Sequence, residues 1–511
     1  MPPTERSGLA RRLASNTLHA ASGRVASLLL WLVLTPPLYR SLGVEGFAVW
    51  SLFFALTGYL GSLDLGLASA TLRHVSASHA RGDDRAAGGF ATVSVLGYAL
   101  LGLAWLAILP LFREPALDFL HVPLAVRPGA EFAFTMGAVV FAMIGVTNTI
   151  VSVLQGYGRF DLANLTTMTV TFVQGGGIGV ALWRGGGLEG VVGSTAIGWT
   201  TATFVGLVAL RAGVPAFGWA SPRVAGAQLA ESVRFGAPLQ LANMLAVAHQ
   251  QLDKLLLARW VALAAVAPYE LGLRIATSAA TFPTLLLLAL VPASTALHTA
   301  GESERLRELY RRANRYVLAV AAIVTSGVVA GGGRVLAAWL GHPDAPASLA
   351  LRGLMLASFS ALSAGMASAT ARGMGRTDLE AEYSGVALVV HIVLGLVLVR
   401  RWGLMGALVA LVAGNVIGGT WFIARVCRTC GWPRLRTLLE PLGVPLLALV
   451  AGFSLARTVD GALAPASGAA GWPGALAVSA IAALTTAAGM LAVRYLSLQE
   501  ALAIVRPRPA A

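Results

Sequence analysis

The sequence predicts an all-α integral membrane protein, and three properties of the chain indicate this fold class. Of its 511 residues, 57% are hydrophobic and only 12% are charged, and the mean hydropathy is +0.74. A soluble protein carries about 25% charged residues, so this chain has too few to cover a water-facing surface. Apolar runs recur along the full length, and runs of about 20 residues cross a bilayer as helices.

Windows of about 19 residues predict about fourteen transmembrane helices. Arg24 interrupts the first apolar stretch and no clear cleavage site follows it, so we expect an uncleaved span there and not a signal peptide. The predicted spans are 15–37, 47–68, 89–111, 132–155, 164–183, 189–210, 233–258, 264–290, 312–331, 349–371, 383–399, 404–424, 439–456 and 474–494.

The distribution of basic residues predicts the orientation. With the N-terminus in the cytoplasm, 24 of the 37 basic residues fall on cytoplasmic segments and nine on outer segments. Cytoplasmic loops of membrane proteins carry such an excess of arginine and lysine. We therefore expect an even number of spans, with both termini in the cytoplasm.

The spans fall into two groups of six followed by a pair. "LGVEGFAVWSL" (42–52) and "LAAVAPYELGL" (263–273) each lead a short outer loop into a helix, and an even number of spans separates them. This pattern predicts a parallel repeat of two six-helix lobes. The expected division is an N-terminal lobe (1–210), a cytoplasmic linker (211–232), a C-terminal lobe (233–426), and two further helices with a cytoplasmic tail (427–511).

Several classes of protein are excluded or disfavoured. The net charge of +14 comes from arginines scattered between spans, which argues against nucleic-acid binding. Cys427 and Cys430 form C-R-T-C without a second pair, so neither a disulfide framework nor a zinc site is expected. A P-loop needs a lysine within a glycine-rich motif, and the only lysine follows Asp253. We expect no catalytic residue, metal or cofactor.

Two hairpins carry a resemblance to a known family. The stretch "YRSLGVEGFAVWSLFFALTGYLGSLDLGLASATLRHVSASHARGDD" resembles the first hairpin of bacterial polysaccharide-biosynthesis flippases, the O-antigen-type oligosaccharide-lipid exporters. "RFGAPLQLANMLAVAHQQLDKLLLARW", followed by "APYELGLRIATSAATFPTLLLLALVPASTAL", resembles their seventh and eighth helices. The wider superfamily also contains lipid II flippases and multidrug extrusion proteins.

The resemblance implies a transporter of the bacterial cytoplasmic membrane. It implies twelve core helices in two lobes, with a cavity between them that opens alternately to each side, and a polyprenyl-diphosphate-linked oligosaccharide as substrate. Membrane lipids would surround the chain, a polysaccharide polymerase and glycosyltransferases are candidate partners, and we expect a monomer. Surface polysaccharide, such as lipopolysaccharide, would be the end product.

Charged residues at membrane depth are the candidate functional residues, because each costs about 3 kcal/mol at the centre of a bilayer. Asp253 and Lys254 lie in the outer half of the seventh span, and Glu270 and Arg274 lie one helical turn apart in the eighth. We expect Lys254 to meet Glu270 and Asp253 to meet Arg274. The four charges either lock the hairpin or, with Gln250, contribute cations that bind a diphosphate.

Two further charges lie in the first hairpin. Arg24 is near mid-depth in the first span and Asp64 is at a similar depth in the second. Arg24 therefore either lines the substrate cavity or pairs with Asp64. Asp64, Asp253 and Glu270 are candidates for ion coupling. His391 is expected to be a packing histidine, with a proton relay as the alternative.

Three functions compete at this point. A lipid-linked oligosaccharide flippase is favoured, because its substrate is an anion and the spans hold at least as many arginines as acidic residues. A multidrug or cation exporter would need uncompensated carboxylates in its cavity. A membrane-embedded glycosyltransferase or polymerase would normally bring a long outer loop with catalytic residues, whereas the outer segments near 112–131 and 332–348 are only about 20 residues long and show no charge cluster.

Overall fold

The structure of the protein is a computed structural model that describes residues 3–61, 66–433, 437, 441–463 and 471–495. All regular structure within these ranges is helical, which confirms the predicted all-α class. A 3₁₀ turn, Leu263–Ala265, precedes the eighth helix. The helices are α1 (Pro3–Gly61), α2 (Leu67–Ala80), α3 (Asp84–Phe119), α4 (Arg127–Gly156), α5 (Phe160–Trp183), α6 (Gly187–Gly213), α7 (Pro222–Trp260), α8 (Val266–Thr299), α9 (Ser303–Leu340), α10 (Ala345–Ser363), α11 (Gly365–Gly373), α12 (Thr377–Trp402), α13 (Leu404–Cys430), α14 (Gly443–Leu463) and α15 (Trp472–Ala492).

The long helix α1 is two spans joined at Gly43. The backbone there has φ 67° and ψ 178°, a left-handed conformation that glycine adopts without strain. The rings of Trp31 and Trp50 lie 5.8 Å apart across this break, whereas 19 residues of continuous helix would separate them by about 28 Å. The two halves of α1 therefore form a hairpin, as the separate spans 15–37 and 47–68 predict.

Twelve stretches of the described residues are long and apolar enough to cross a membrane. They include α1 once, as Ser27–Thr57, and they do not include α7, which carries charged residues in both halves. When the halves of α1 are counted separately and α7 is added, the described helices account for all fourteen predicted spans. The parallel repeat of the two halves stays a prediction.

Residues 1–251 form the first of two compact units. In this unit α6 packs along α5 and α4, α3 packs along α4, and α2 contacts both α3 and α4. Polar groups inside the unit bond to one another: the Gln174 side-chain amide donates to the Thr195 hydroxyl at 3.0 Å, and the Thr71 and Ser94 hydroxyls lie 2.5 Å apart. Such bonds are needed because hydrocarbon offers no alternative partner.

The predicted linker at 211–232 has defined structure in the first unit. Helix α6 ends at Gly213 and α7 begins at Pro222, and the segment between them lies against α3. The backbone N–H of Ala220 donates to the Thr92 hydroxyl at 3.1 Å, and Gly88 allows the backbone of Gly218 to approach closely. The boundaries predicted at 210, 232 and 426 stay predictions.

Residues 252–511 form the second unit, which begins within α7. Helices α8, α9, α10 and α13 make up its centre, with α10 in contact with the other three. α12 packs along α13, and α11 packs against α8. The two C-terminal helices, α14 and α15, pack against each other, and both contact α9. They are therefore an integral part of this unit.

Candidate functional site: a buried charge cluster

The hairpin of α7 and α8 brings the predicted charges to one level. Asp253 lies seven residues before the end of α7 at Trp260, or about 10 Å along the axis. Glu270 lies four residues after the start of α8 at Val266, or about 6 Å from it. Because the connecting turn is short, side chains at these two distances from the turn can meet.

Lys254, Glu270 and Arg274 form a continuous ionic network. The Lys254 ammonium Nζ lies 2.8 Å from Oε2 of Glu270, and Nε of Arg274 lies 2.8 Å from Oε1 of the same carboxylate. The Lys254 and Glu270 side chains are only 4% and 5% exposed, whereas that of Arg274 is 22% exposed. The predicted contact between Lys254 and Glu270 is confirmed, and Glu270 binds a cation with each oxygen.

Asp253 has other partners than the sequence predicts. The Tyr269 hydroxyl donates to Oδ2 of Asp253 at 2.7 Å, and Nε2 of His391 lies 2.8 Å from Oδ1. The predicted contact with Arg274 is therefore wrong. Adjacent residues on a helix point about 100° apart, so Asp253 and Lys254 face different neighbours. Arg274 folds back one turn onto Glu270, as residues four apart on a helix readily do.

His391 brings a third helix, α12, into the cluster. It is fully buried, as is Asp253, so the expectation of a buried histidine holds, but its carboxylate partner is not predicted. Gly395 lies one turn further along α12, and a Cβ there would lie 2.7 Å from Leu256 of α7. The missing side chain allows α7 to approach α12 closely enough for the Asp253–His391 contact. Tyr269 and His391 are thus the members of the cluster that the sequence does not reveal.

The formal charges in the cluster cancel. Asp253 and Glu270 balance Lys254 and Arg274 when His391 is neutral, and four of these side chains are at least 95% buried. A buried charge is tolerated when it is paired and hydrogen-bonded. Arg274 is the most exposed member, at 22%. Lys254 becomes available to an anion only when Glu270 moves.

The residues near the cluster indicate that it lies close to the membrane–water interface. The Arg400 guanidinium lies over the ring of Trp260, 4.6 Å from its centroid, at the end of α7 and near the end of α12. Tryptophan and arginine at helix ends are typical of headgroup level. The charges therefore lie about two helical turns or fewer below the headgroups, near the surface of the hydrocarbon core.

Of the other predicted site residues, only Gln250 has a described side chain. Gln250 is exposed on α7. Asp64 and the side chain of Arg24 lie outside the described residues, so their pairing stays a prediction. The described residues contain no group of three or more His, Cys, Asp or Glu side chains arranged to hold a metal ion.

Two family models match the sequence. The model described as polysaccharide biosynthesis protein matches residues 13–298. A second model, MatE, matches residues 238–397, a range that includes every member of the charge cluster. None of the curated protein sequences is significantly similar to the chain.

Several solved structures have a similar fold. The lipid II flippase MurJ in an inward closed conformation matches with a TM-score of 0.72 and 12% identity over 94% of this chain and 98% of its own. An inward-facing multidrug resistance MATE family transporter of the MOP superfamily matches with a TM-score of 0.67 and 15% identity, over 79% of this chain and 94% of its own. A MOP superfamily transporter from Pyrococcus furiosus, whose binding pocket is described as reversed in polarity, matches with a TM-score of 0.58 and 16% identity, over 83% of this chain and 96% of its own.

Proposed function

The chain belongs to the polysaccharide biosynthesis protein family, and from this premise we propose that it is a flippase for a polyprenyl-diphosphate-linked oligosaccharide. It moves this lipid across the bacterial cytoplasmic membrane by alternating access, for surface polysaccharide such as lipopolysaccharide. The observation that carries the proposal is the cationic pair Lys254 and Arg274 on one buried carboxylate, because a diphosphate is an anion of the kind that this pair can bind.

In this proposal Glu270 acts as a stand-in for the substrate. Arg274 is partly exposed and its planar guanidinium meets phosphate oxygens two at a time. When one phosphate of the diphosphate binds Arg274, Glu270 loses this cation and keeps only Lys254. The other phosphate then competes with Glu270 for the Lys254 ammonium. The neutral cluster thus closes the site when no substrate is bound and opens when the diphosphate replaces Glu270. Arg24 and Gln250 are proposed to line the same route.

Asp253 is the proposed proton-binding group. Its two oxygens are held by Tyr269 and His391, and histidine is a side chain that commonly relays protons near neutral pH. Protonation of Asp253 or of His391 changes the net charge of the cluster by one unit, and this change couples to the exchange between Glu270 and substrate. Glu270 itself and Asp64 are the further candidates for ion coupling.

The membrane potential favours export in the proposed orientation. With both termini in the cytoplasm, a diphosphate moves outward from the negative side, and each unit charge gains about 2.3 kcal/mol per 100 mV. No separate ATPase activity is needed for this step. A polysaccharide polymerase and glycosyltransferases are the proposed partners of the pathway, and the flippase itself is proposed to act as a monomer without a catalytic residue or cofactor.

Export of drugs or cations is the second candidate function, and the MatE match over residues 238–397 favours it. A cationic substrate needs a carboxylate that it can neutralise. Both carboxylates of the cluster already bind donors or cations, and Glu270 binds two. This arrangement favours an anionic substrate over a cationic one.

Purified protein in liposomes tests the proposal. The substrate is a fluorescent polyprenyl-diphosphate-linked N-acetylglucosamine, and its transfer between leaflets is followed by quenching of the outer leaflet. We expect transfer by the wild-type protein and by Lys254→Arg, and a loss of at least tenfold in Lys254→Met and Arg274→Gln. Arg312→Gln is the matched control, because Arg312 lies on the exposed surface of α9.

The same liposomes separate the two candidate functions. Uptake of a fluorescent organic cation without transfer of the diphosphate lipid would assign the protein to cation export and overturn the proposal. Imposed proton and sodium gradients test coupling in the same preparation. Transfer rates that ignore every gradient would remove Asp253 from an ion-coupling role.

A further inference from the structure

A pocket of about 490 Å³ lies in the second unit, away from the charge cluster. Its described lining comes from the beginning of α9, from residues 432, 433, 437 and 441 between α13 and α14, from Val444 at the start of α14, and from residues 493–495 after α15. Its described lining includes four arginines and three aromatic rings, a composition that differs from the surrounding spans: Arg307, Arg311, Arg315, Arg494, Tyr310, Trp432 and Tyr495.

The length of α9 places this pocket at the surface of the membrane. Its 38 residues span about 57 Å, whereas a bilayer has a hydrocarbon core about 30 Å thick. Apart from Arg334 near its other end, the charged residues of α9 lie between Ser303 and Arg315, and the apolar stretch begins at Tyr316. The first turns of α9 therefore extend beyond the hydrocarbon, and the pocket lies at the level of the lipid headgroups.

The pocket has a surplus of positive charge. Its two acids, Glu304 and Glu308, are already paired: Glu304 with Arg307 at 3.4 Å, and Glu308 with Arg311 at 3.0 Å. Four arginines face these two acids, so the described lining carries a formal charge of +2. Glu308 also binds Arg312, which lies outside the lining. An anion is the ligand that balances this surplus.

Residues 493–495, directly after α15, have a defined conformation beside the pocket. Arg494 has φ 54°, a left-handed conformation that a non-glycine residue seldom adopts. The backbone N–H of Tyr495 donates to the Met490 carbonyl at 2.9 Å, and the Tyr495 hydroxyl donates to the Pro441 carbonyl at 2.8 Å. The Arg315 guanidinium lies over the Tyr495 ring, 5.0 Å from its centroid. Arg494 thus has a defined position in the lining of the pocket.

Two buried polar atoms in the lining lack partners. The Tyr310 hydroxyl and Oδ1 of Asn314 have no hydrogen bond among the described residues, although the residues are only 3% and 2% exposed. Buried polar groups in proteins are nearly always hydrogen-bonded. A hydroxyl donates to an anion, and a side-chain amide presents a donor after rotation. These two groups point to a ligand with several acceptor oxygens.

We propose that this pocket binds the phosphate group of an anionic phospholipid from the adjoining leaflet. A phosphate supplies the negative charge for the arginines and acceptor oxygens for Tyr310 and Asn314. Basic pockets at the ends of transmembrane helices bind such headgroups, and aromatic side chains favour the same depth. Val444 and Val493 in the lining offer apolar surface for the start of an acyl chain.

A lipid bound here joins two parts of the second unit. Arg311 and Arg315 belong to α9, whereas Arg494 follows α15, and a shared phosphate holds them together. The lipid therefore fastens the C-terminal pair α14 and α15 to α9. In the proposed orientation the leaflet is the cytoplasmic one. The proposal does not depend on which substrate the protein transports.

Native mass spectrometry of the full-length protein in detergent tests the site. Phosphatidylglycerol is titrated against phosphatidylcholine, and we expect one phosphatidylglycerol to be retained in preference and to raise the melting temperature. Arg494→Asn and Arg311→Gln are expected to weaken retention about tenfold. Asparagine is chosen at 494 because it tolerates the left-handed conformation. Arg305→Gln is the matched control, because the exposed Arg305 pairs with Glu302 outside the lining; it removes the same charge from α9 and is expected to keep full retention.

Tyr310→Phe gives a readout that a merely structural role does not produce. Without lipid the variant is expected to melt above the wild type, because it loses an unpaired buried hydroxyl. With phosphatidylglycerol it is expected to gain less than the wild type, so the order reverses. Equal retention of both lipids by all variants would overturn the proposal. Stabilisation by soluble pyrophosphate, without retention of phosphatidylglycerol, would assign the phosphate to a soluble molecule and overturn the lipid source.

Discussion

Lys254 Nζ and Glu270 Oε2 lie 2.8 Å apart in a nearly water-free environment, where the two side chains are 4% and 5% exposed. This ion pair joins the adjacent ends of α7 and α8. Glu270 also accepts from Arg274, so the two ends of the pair are not equivalent. Loss of the acid leaves two cations without their partner, whereas loss of Lys254 leaves Glu270 with Arg274.

Glu270→Gln is therefore expected to destabilise the protein more than Lys254→Met. A buried ion that loses its partner costs about 3–5 kcal/mol, and here two cations lose the same partner. Lys254→Met removes one charge-assisted hydrogen bond, which costs about 1.5–3 kcal/mol. Thermal and denaturant unfolding in detergent measure the order. Equal losses in the two variants would mean that Arg274 does not balance Glu270.

Tyr269→Phe is expected to lower stability by about 1.5–3 kcal/mol, because Asp253 loses one of its two donors. Tyr383→Phe is the matched control, since Tyr383 stacks on Phe422 and its hydroxyl makes no hydrogen bond among the described residues. Unfolding in detergent again provides the measurement, and a control that falls as far as Tyr269→Phe would contradict the assignment.

The role of His391 is tested on the same carboxylate. His391→Phe leaves Asp253 with Tyr269 alone, and a second change, Asp253→Asn, removes the buried charge. The double variant is expected to be more stable than His391→Phe, because a neutral amide is less costly to bury than an underpaired carboxylate. An additive loss in the double variant would show that the Asp253 charge is not what His391 supports.

The hairpin of α7 and α8 illustrates how much of the site the sequence predicts. The spans follow from hydropathy, and the contact between Lys254 and Glu270 follows from helical rise and a short turn, which are local properties. The partners of Asp253 depend on the rotation of α7 about its axis and on α12, which lies 138 residues further along the chain. Neither the rotation of α7 nor the position of α12 follows from local periodicity. The sequence therefore predicts the wrong partner for Asp253, Arg274, and does not predict His391.

The pocket beside α9 lies beyond sequence-based prediction for the same reason. In the sequence, its arginines are simply part of the excess of basic residues on the predicted cytoplasmic segments. Only the packing of α15 against α9, and the left-handed turn at Arg494, brings them around one cavity. The number and class of the helices are thus encoded in composition and period, while the pairing of distant polar groups requires the packed structure.

Arg24→Ala is expected to abolish transfer of the diphosphate lipid while the protein still inserts into the membrane. The sequence offers no other arginine or lysine within the first span 15–37, so no permanent positive charge on that span replaces Arg24. The liposome assay measures transfer, and Arg12→Ala, at the cytoplasmic end of the same helix, is the matched control. Normal transfer by Arg24→Ala would remove Arg24 from the substrate route.

Chemical labelling tests the predicted orientation. Cys427 and Cys430 are both free thiols, so they are first replaced by serine. Single cysteines then replace Ser303, at the start of α9, and His342, just beyond its end. A membrane-impermeant maleimide is expected to label the His342→Cys protein in intact cells, and the Ser303→Cys protein only after the cells are opened. The reverse pattern would place both termini outside.

Gly272 lies between Glu270 and Arg274 on α8 and sets the distance from α8 to α10. A Cβ at this position would lie 2.6 Å from the backbone nitrogen of Leu351 and 3.0 Å from the carbonyl carbon of Ala350. Backbone atoms cannot rotate away as a side chain does, so Gly272→Ala must push α8 from α10. We expect a loss of about 1–3 kcal/mol, together with slower lipid transfer because Glu270 and Arg274 move with α8. Gly193→Ala is the matched control in α6, because a Cβ at Gly193 meets open space. Alanine there is expected to stabilise the helix by up to about 1 kcal/mol through its higher helix propensity. Similar melting temperatures for the two variants would show that close packing at Gly272 does not position the cluster.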